Sequence, residues 1–112
     1  MKIWTETFDG AILKINLEGR MDAPGVQEIE QEFMDYACSQ RSVIVDMHAV
    51  GFLASAGIRT LVLVAKAVSR GGGKMVLLNP DTNVTRILEM AGIDSLMPIH
   101  RSLDEARRAV SL

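Results

Sequence analysis

A single cysteine, Cys38, excludes an intramolecular disulfide and a cysteine-based metal cluster. An excess of one charge is missing too. Twelve Lys and Arg face fourteen Asp and Glu, and a net charge of −2 gives no broad nucleic-acid footprint. Long apolar runs are absent: the longest, Leu61 to Ala65, is far too short to cross a bilayer. The start, Met1-Lys2-Ile3-Trp4, turns polar at Thr5-Glu6-Thr7 and lacks the apolar core of a signal peptide. There is no internal repeat, low-complexity tract or linker. The expectation is one domain over residues 1–112 of a soluble, cytoplasmic protein with no membrane segment.

Catalytic signatures are equally sparse. Gly71-Gly72-Gly73-Lys74 resembles a phosphate loop, but Met75 stands where a Walker A loop needs Ser or Thr, and the glycines precede a strand. Ser55-Ala56-Gly57 is half of a nucleophile elbow, and Asp94 and His100 follow in hydrolase order. Leu53, however, fills a position that must be small for the strained turn. His48 and His100 stand alone, without metal-ligand spacing. Nothing calls for a cofactor. Cys38 reads as a small packed residue, and Met34, Met75 and Met90 as core fillers.

What is present is an alternation of strands and helices. Ile3 to Phe8 and Ala11 to Leu17 read as a hairpin turning at Asp9-Gly10. Leu13, Ile15 and Leu17 point one way; Lys14, Asn16 and Glu18 point the other. Asp22 is a good N-cap with Pro24 in the first turn, and Val26, Ile29, Phe33 and Ala37 follow at helical spacing. Glu28, Gln31, Glu32 and Asp35 make that helix's acidic outer face. Val43-Ile44-Val45 reads as a strand buried on both faces. A helix from Ser55 to Arg70 ends at the glycines, where a left-handed cap is cheap. Met75 to Leu78 is the next strand. Asn79-Pro80 is expected to cap a third helix through Met90, and Leu96 to Ile99 to form a short edge strand. Ser102 and Glu105 have capping-box spacing for a last helix. The order implies an α/β fold: a mixed sheet of four to five strands with about four helices, parallel except for the hairpin edge.

Ser55 is the residue that stands out. The strand and the turn after it place its hydroxyl at the positive end of a helix dipole, among the small residues Ala54, Ala56 and Gly57. The buried side of its helix carries Ile58, Leu61, Ala65 and Val68. The opposite side carries Arg59, Lys66 and Arg70, with Leu63 beside them. Arg59 lies one turn from Ser55, within reach of a phosphate there. A phosphate would change the local charge by nearly two units, which suits a switch better than a catalyst. The plainer alternative is a serine that only caps its helix beside solvated cations.

The segments Gly19-Arg20-Met21-Asp22, Val43 to Asp46, Phe52 to Ile58, Gly72-Gly73-Lys74 and Ile87 to Gly92 carry a resemblance. In that order and spacing the chain resembles a STAS domain, specifically a bacterial anti-sigma factor antagonist. The resemblance implies that Ser55 is phosphorylated by a cognate anti-sigma factor, itself a serine kinase with a histidine-kinase-like ATPase fold. The unphosphorylated antagonist binds that kinase and frees the sigma factor, controlling transcription; the phosphorylated form lets go, and a serine phosphatase resets it. The expected contact surface is Phe52, Leu53, Ala54, Ala56, Gly57, Arg59 and Leu63, with Asp22 beside them. Many members have Asp-Ser where this chain has Ala54-Ser55, which leaves Ser55 to take over capping. Other STAS domains are subunits of phospholipid-transport or other multiprotein assemblies. That alternative predicts binding without dependence on Ser55 charge.

Overall fold

The computed structural model describes every residue from Met1 to Leu112. Strands β1 (Lys2–Phe8) and β2 (Ile12–Met21) form the hairpin. Asp9 and Gly10 both take positive φ, 55° and 67°, the turn geometry that Asp-Gly favours. Helix α1 (Ala23–Ala37), strand β3 (Ser42–Leu53), helix α2 (Ser55–Arg70) and strand β4 (Lys74–Leu78) follow. Helix α3 (Thr82–Met90), a 3₁₀ turn (Ile93–Ser95), strand β5 (Ile99–His100) and helix α4 (Leu103–Val110) complete the chain. The sheet order is β1-β2-β3-β4-β5. β1 and β2 are antiparallel and every other pair is parallel, which is the expected mixed sheet.

The two faces of the sheet are buried unequally. Leu13, Ile15 and Leu17 of β2, Val43 and Val45 of β3 and Leu77 of β4 pack under α1, α2 and α3 in a cluster of 23 buried residues. On the other face α4 covers only Ile12, Ile44, Val76 and Leu78, using Ala106 and Val110. Beyond α4 that face is polar, yet not simply solvated. Asn16 is buried, donating to the Glu6 carboxylate at 3.1 Å, and Lys14 is half-buried between two carboxylates.

Several local expectations are corrected. The third helix is capped by Asp81, whose carboxylate accepts from the Val84 N–H at 2.8 Å, and not by Asn79-Pro80. The edge strand is Ile99–His100, because Ile93–Ser95 coils into a 3₁₀ turn first. The glycine run after α2 does supply the expected left-handed residue, Gly72, at φ 79°. Met90 is 81% exposed: it lies about 200° around α3 from the buried Leu88, so the core is out of reach. Cys38 is exposed, since it sits one residue past the buried Ala37 as the C-cap of α1. Met75 does fill the core, and Met34 packs against its margin.

Candidate phospho-acceptor site and docking face

The carboxyl ends of β2 and β3 lie side by side, with Met21 opposite Leu53, and each feeds a helix. β3 reaches that end by way of two bulges. Asn16 pairs with Asp46 and Glu18 with Ala49, so β3 spends one residue more than β2. A second extra residue falls between Val50 and Phe52. The first bulge turns Val50 into the core; the second returns Leu53 to it, leaving Phe52 outside. The strand therefore runs almost to Ser55, and a single residue, Ala54, makes the transition to α2.

Main-chain contacts fix that transition. The Ala54 N–H donates to the Met21 carbonyl at 3.1 Å, and the Ala54 carbonyl accepts from Gly57 and Ile58 at 3.0 and 3.1 Å. A Cβ on Gly57 would lie 2.7 Å from the Met21 carbonyl oxygen, Met21 Cγ and Leu53 Cδ1. The helix start is thus seated directly on the end of β2. Ala54 is the N-cap residue, with extended backbone (φ −104°, ψ 175°), and no side chain caps the helix. Ser55 is the first helical residue and is exposed. It does not take over capping, because its position is one residue too late to do so. An acceptor for a phosphate at this point would have its hydroxyl facing solvent, with the free N–H groups of the first turn nearby.

Asp22 caps α1, accepting from the Gly25 N–H at 2.9 Å. That bond, assisted by Arg20, holds its carboxyl below the usual carboxylate range. Arg20 Nε donates to Asp22 at 3.2 Å, and its guanidinium lies 4.1 Å from the centre of the Phe52 ring. Asp22, Arg20 and Phe52 therefore form one connected row along the strand ends. Gly19-Arg20-Met21, expected from its glycine to turn the chain, instead continues β2, so Arg20 is a strand residue paired with β3. Its partner across the sheet, Phe52, is set by the bulges, and no periodicity in the sequence reveals that pairing.

The structure divides the expected contact residues. Phe52 (39% exposed), Leu63 (50% exposed), Arg59 and Ser55 are at the surface, and Ala54, Ala56 and Asp22 are half-buried beside them. Leu53 (3% exposed) and Gly57 face inward. The Leu53 side chain and the bare Cα of Gly57 form the seat of α2, so they hold the surface from below and do not form part of it.

A second polar cluster lies on the sheet face beyond α4. The Lys14 ammonium bridges Glu6 at 3.0 Å and Asp46 at 3.1 Å. The Asp46 carboxylate also accepts the His48 N–H at 3.0 Å and contacts His48 Nδ1 at 2.8 Å, so it closes the first bulge. Burial pushes the Asp46 carboxyl up, but His48 and Lys14 outweigh it and the group is held below its ordinary value. Burial likewise pulls Lys14 down, and its two carboxylates overcome that and raise it. Hydrogen bonds from Lys14 and Asn16 lower Glu6. His48 is thus engaged with Asp46, not isolated as the sequence implied; His100 lies 3.9 Å from Glu105. No group of three or more His, Cys, Asp or Glu is placed to hold a metal ion. No helix is long and apolar enough to cross a membrane. A depression of about 750 Å³ is lined by Cys38, Arg41, Gly71 and Leu112 among others, at the strands' amino ends and away from Ser55.

Comparison with known proteins agrees with this architecture. The STAS domain family model matches residues 3–106. BtrV of Bordetella bronchiseptica, provisionally named an anti-sigma factor antagonist, is 27% identical over 110 residues, covering 97% of this chain and 94% of that protein. An anti-sigma factor antagonist from Mycobacterium paratuberculosis superposes with a TM-score of 0.86 at 23% identity, covering 97% of this chain and 92% of the other. SpoIIAA, a Bacillus cell fate determinant solved in its phosphorylated form, superposes at 0.71 with 17% identity, over 96% of this chain and 99% of that one. With the family model spanning nearly the whole sheet and its helices, the chain belongs to the STAS domain family.

Proposed function

We propose that this protein is a partner-switching regulator whose state is set by phosphate on Ser55. Unphosphorylated, it binds an anti-sigma factor that is also a serine kinase of the histidine-kinase-like ATPase fold, and so frees a sigma factor. Phosphorylation of Ser55 releases it, and a serine phosphatase restores it. The contact surface is Phe52, Ala54, Ser55, Ala56, Arg59 and Leu63, with Asp22 at its margin.

The observation that carries this reading is the place of Ser55: exposed, first in α2, and one residue past the cap. A hydroxyl committed to capping would be shielded from a kinase; this one is open to it. A dianion there is favoured in the free protein by the helix dipole and by Arg59 one turn away. Inside a docked interface the same dianion adds bulk and charge that the partner does not match. Moving a complex from nearly all bound to nearly all free takes roughly 5.5 kcal/mol of differential affinity. A mismatched, desolvated phosphate is of that scale.

The test is incubation with the anti-sigma factor kinase and ATP, read by intact mass and peptide mapping. One phosphate is expected, on Ser55, and Ser55→Ala abolishes it with thermal stability unchanged, because Ser55 caps nothing. Ser55→Asp weakens kinase binding. Stoichiometric phosphate on another exposed serine, such as Ser69 or Ser95, overturns the assignment.

A further inference from the structure

The outer side of α2 continues well beyond Ser55. Arg59, Leu63, Lys66 and Arg70 recur at steps of four, three and four residues, and all are exposed. On a 100° wheel they fall within about 60° of one another, and Ser55 lies about 20° outside that arc. The stripe from Arg59 to Arg70 is roughly 16 Å long at 1.5 Å per residue. Arg59, Lys66 and Arg70 take part in none of the chain's ion pairs. Yet α1 packs directly beside α2 and exposes Glu30, Glu32 and Asp35. Lys2, Arg20 and Arg107 do have carboxylate partners, while Arg41, Lys74, Arg86, Arg101 and Arg108 are unpaired like the α2 cations; what sets the α2 cations apart is their alignment on one helix face around Leu63. The unpaired cations of α2 therefore flank a half-exposed leucine in a protein that is acidic as a whole.

We infer that the whole α2 stripe, from Arg59 through Leu63 to Lys66 and Arg70, is a docking face for an acidic segment of the anti-sigma factor, with carboxylates opposite the three cations and an apolar recess for Leu63. The inference rests on the partner-switching reading and supplies the partner's chemistry. It also gives the switch a physical cause. Phosphate on Ser55 stands at the head of this stripe, draws Arg59 to itself, and sets two negative charges against the partner's carboxylates.

Two measurements test it. The first uses a stapled helical peptide whose glutamates are spaced to face Arg59, Lys66 and Arg70, with its glutamine counterpart as control, followed by amide chemical shifts. The glutamate peptide is expected to bind about 10-fold tighter or more, less so at high salt, with shifts confined to the outer side of α2. The second is the kinase assay on the double variant Lys66→Glu/Arg70→Glu, which lies about three to four turns from Ser55. KM for the antagonist is expected to rise about 10-fold with kcat retained, since only encounter and docking are touched. A normal KM in that variant, or equal binding of the two peptides, overturns the stripe while leaving Ser55 phosphorylation standing. Glutamate-peptide binding on α2 with no phosphate on Ser55 keeps the acidic docking face and overturns the switch. A dimer of the unmodified protein in sedimentation that Lys66→Glu/Arg70→Glu dissolves makes the acidic α1 of a second copy the occupant, and overturns the proposal.

Discussion

Replacing Gly57 by alanine adds one methyl group where none fits. Its Cβ would stand 2.7 Å from the Met21 carbonyl oxygen, Met21 Cγ and Leu53 Cδ1. A flexible side-chain tip moves cheaply; a carbonyl oxygen that also accepts the Ala54 N–H does not. Met21 and Leu53 are themselves 0% and 3% exposed, so neither side chain can swing into solvent. Overpacking of this kind costs about 1–3 kcal/mol. Alanine recovers part of that, up to about 1 kcal/mol, as the better helix former. The net loss is about 1–2 kcal/mol. At ~2.1 cal/mol/K per residue, a chain of 112 residues has an unfolding entropy near 235 cal/mol/K, so Tm falls about 4–9 °C. Gly51→Ala is the control: nothing lies within 4 Å of its added Cβ and its φ is ordinary, so its stability stays within about 0.5 kcal/mol of the parent. Scanning calorimetry of both variants decides the matter. If Gly57→Ala melts at or above the unmodified protein, α2 is not seated on the end of β2 as described.

The vacant cap gives the opposite sign. Ala54→Asp supplies an acceptor at an N-cap position whose backbone is already extended, so stability rises by about 1 kcal/mol, or roughly 4 °C, as thermal melts check. Lys14→Met removes the one cation shared by Glu6 and Asp46 and costs about 1–3 kcal/mol in urea unfolding at pH 7. Asp46 and Glu6 both have carboxyls held below their ordinary values in the folded state. Their contribution is therefore complete above the unfolded carboxylate range, near pH 4, and is lost as pH falls through the lower folded values. A pH series of urea midpoints checks this, and Asp46→Asn flattens the acid limb; an unchanged limb removes Asp46 from the account.

The parts of this fold that were legible in the sequence are those written in local chemistry. Asp9-Gly10 can turn a hairpin by itself, Asp22 with Pro24 can open a helix, and the periods of two and 3.6 assign most buried positions. The alternation that put Lys14 and Asn16 on the polar side was right about direction and silent about depth. Asn16 is buried because β1 brings Glu6 over it, a contact across ten residues that no local pattern encodes. Met90 and Cys38 failed for a shared reason: hydrophobic character was taken as burial, while each lies where its helix turns away from the core. The β3 bulges were the largest gap. The sequence marks the strand only at Val43-Ile44-Val45 with a turn before Ser55, and gives no sign that β3 runs on to Leu53 and gains two residues on β2, yet those residues decide that Phe52 meets Arg20 and that Leu53 faces inward.

Ala54 is where these observations converge. A carboxylate at that position would hold the helix start through a side chain and stand next to the serine hydroxyl. This chain instead holds the start through the main chain: β2 accepts the Ala54 N–H, Ala54 accepts two helical N–H groups, and the bare Cα of Gly57 lets α2 sit on Met21. Anchoring from beneath removes the need for a polar cap, and a polar cap is the role that would otherwise fall to Ser55. The hydroxyl is then left with no structural duty, so its modification need not unfold the helix it begins. A phosphate added there changes the charge of the α2 stripe while the geometry of the stripe stays fixed. In the proposed switch, that combination would let one covalent change act on a partner without passing through the protein's own stability.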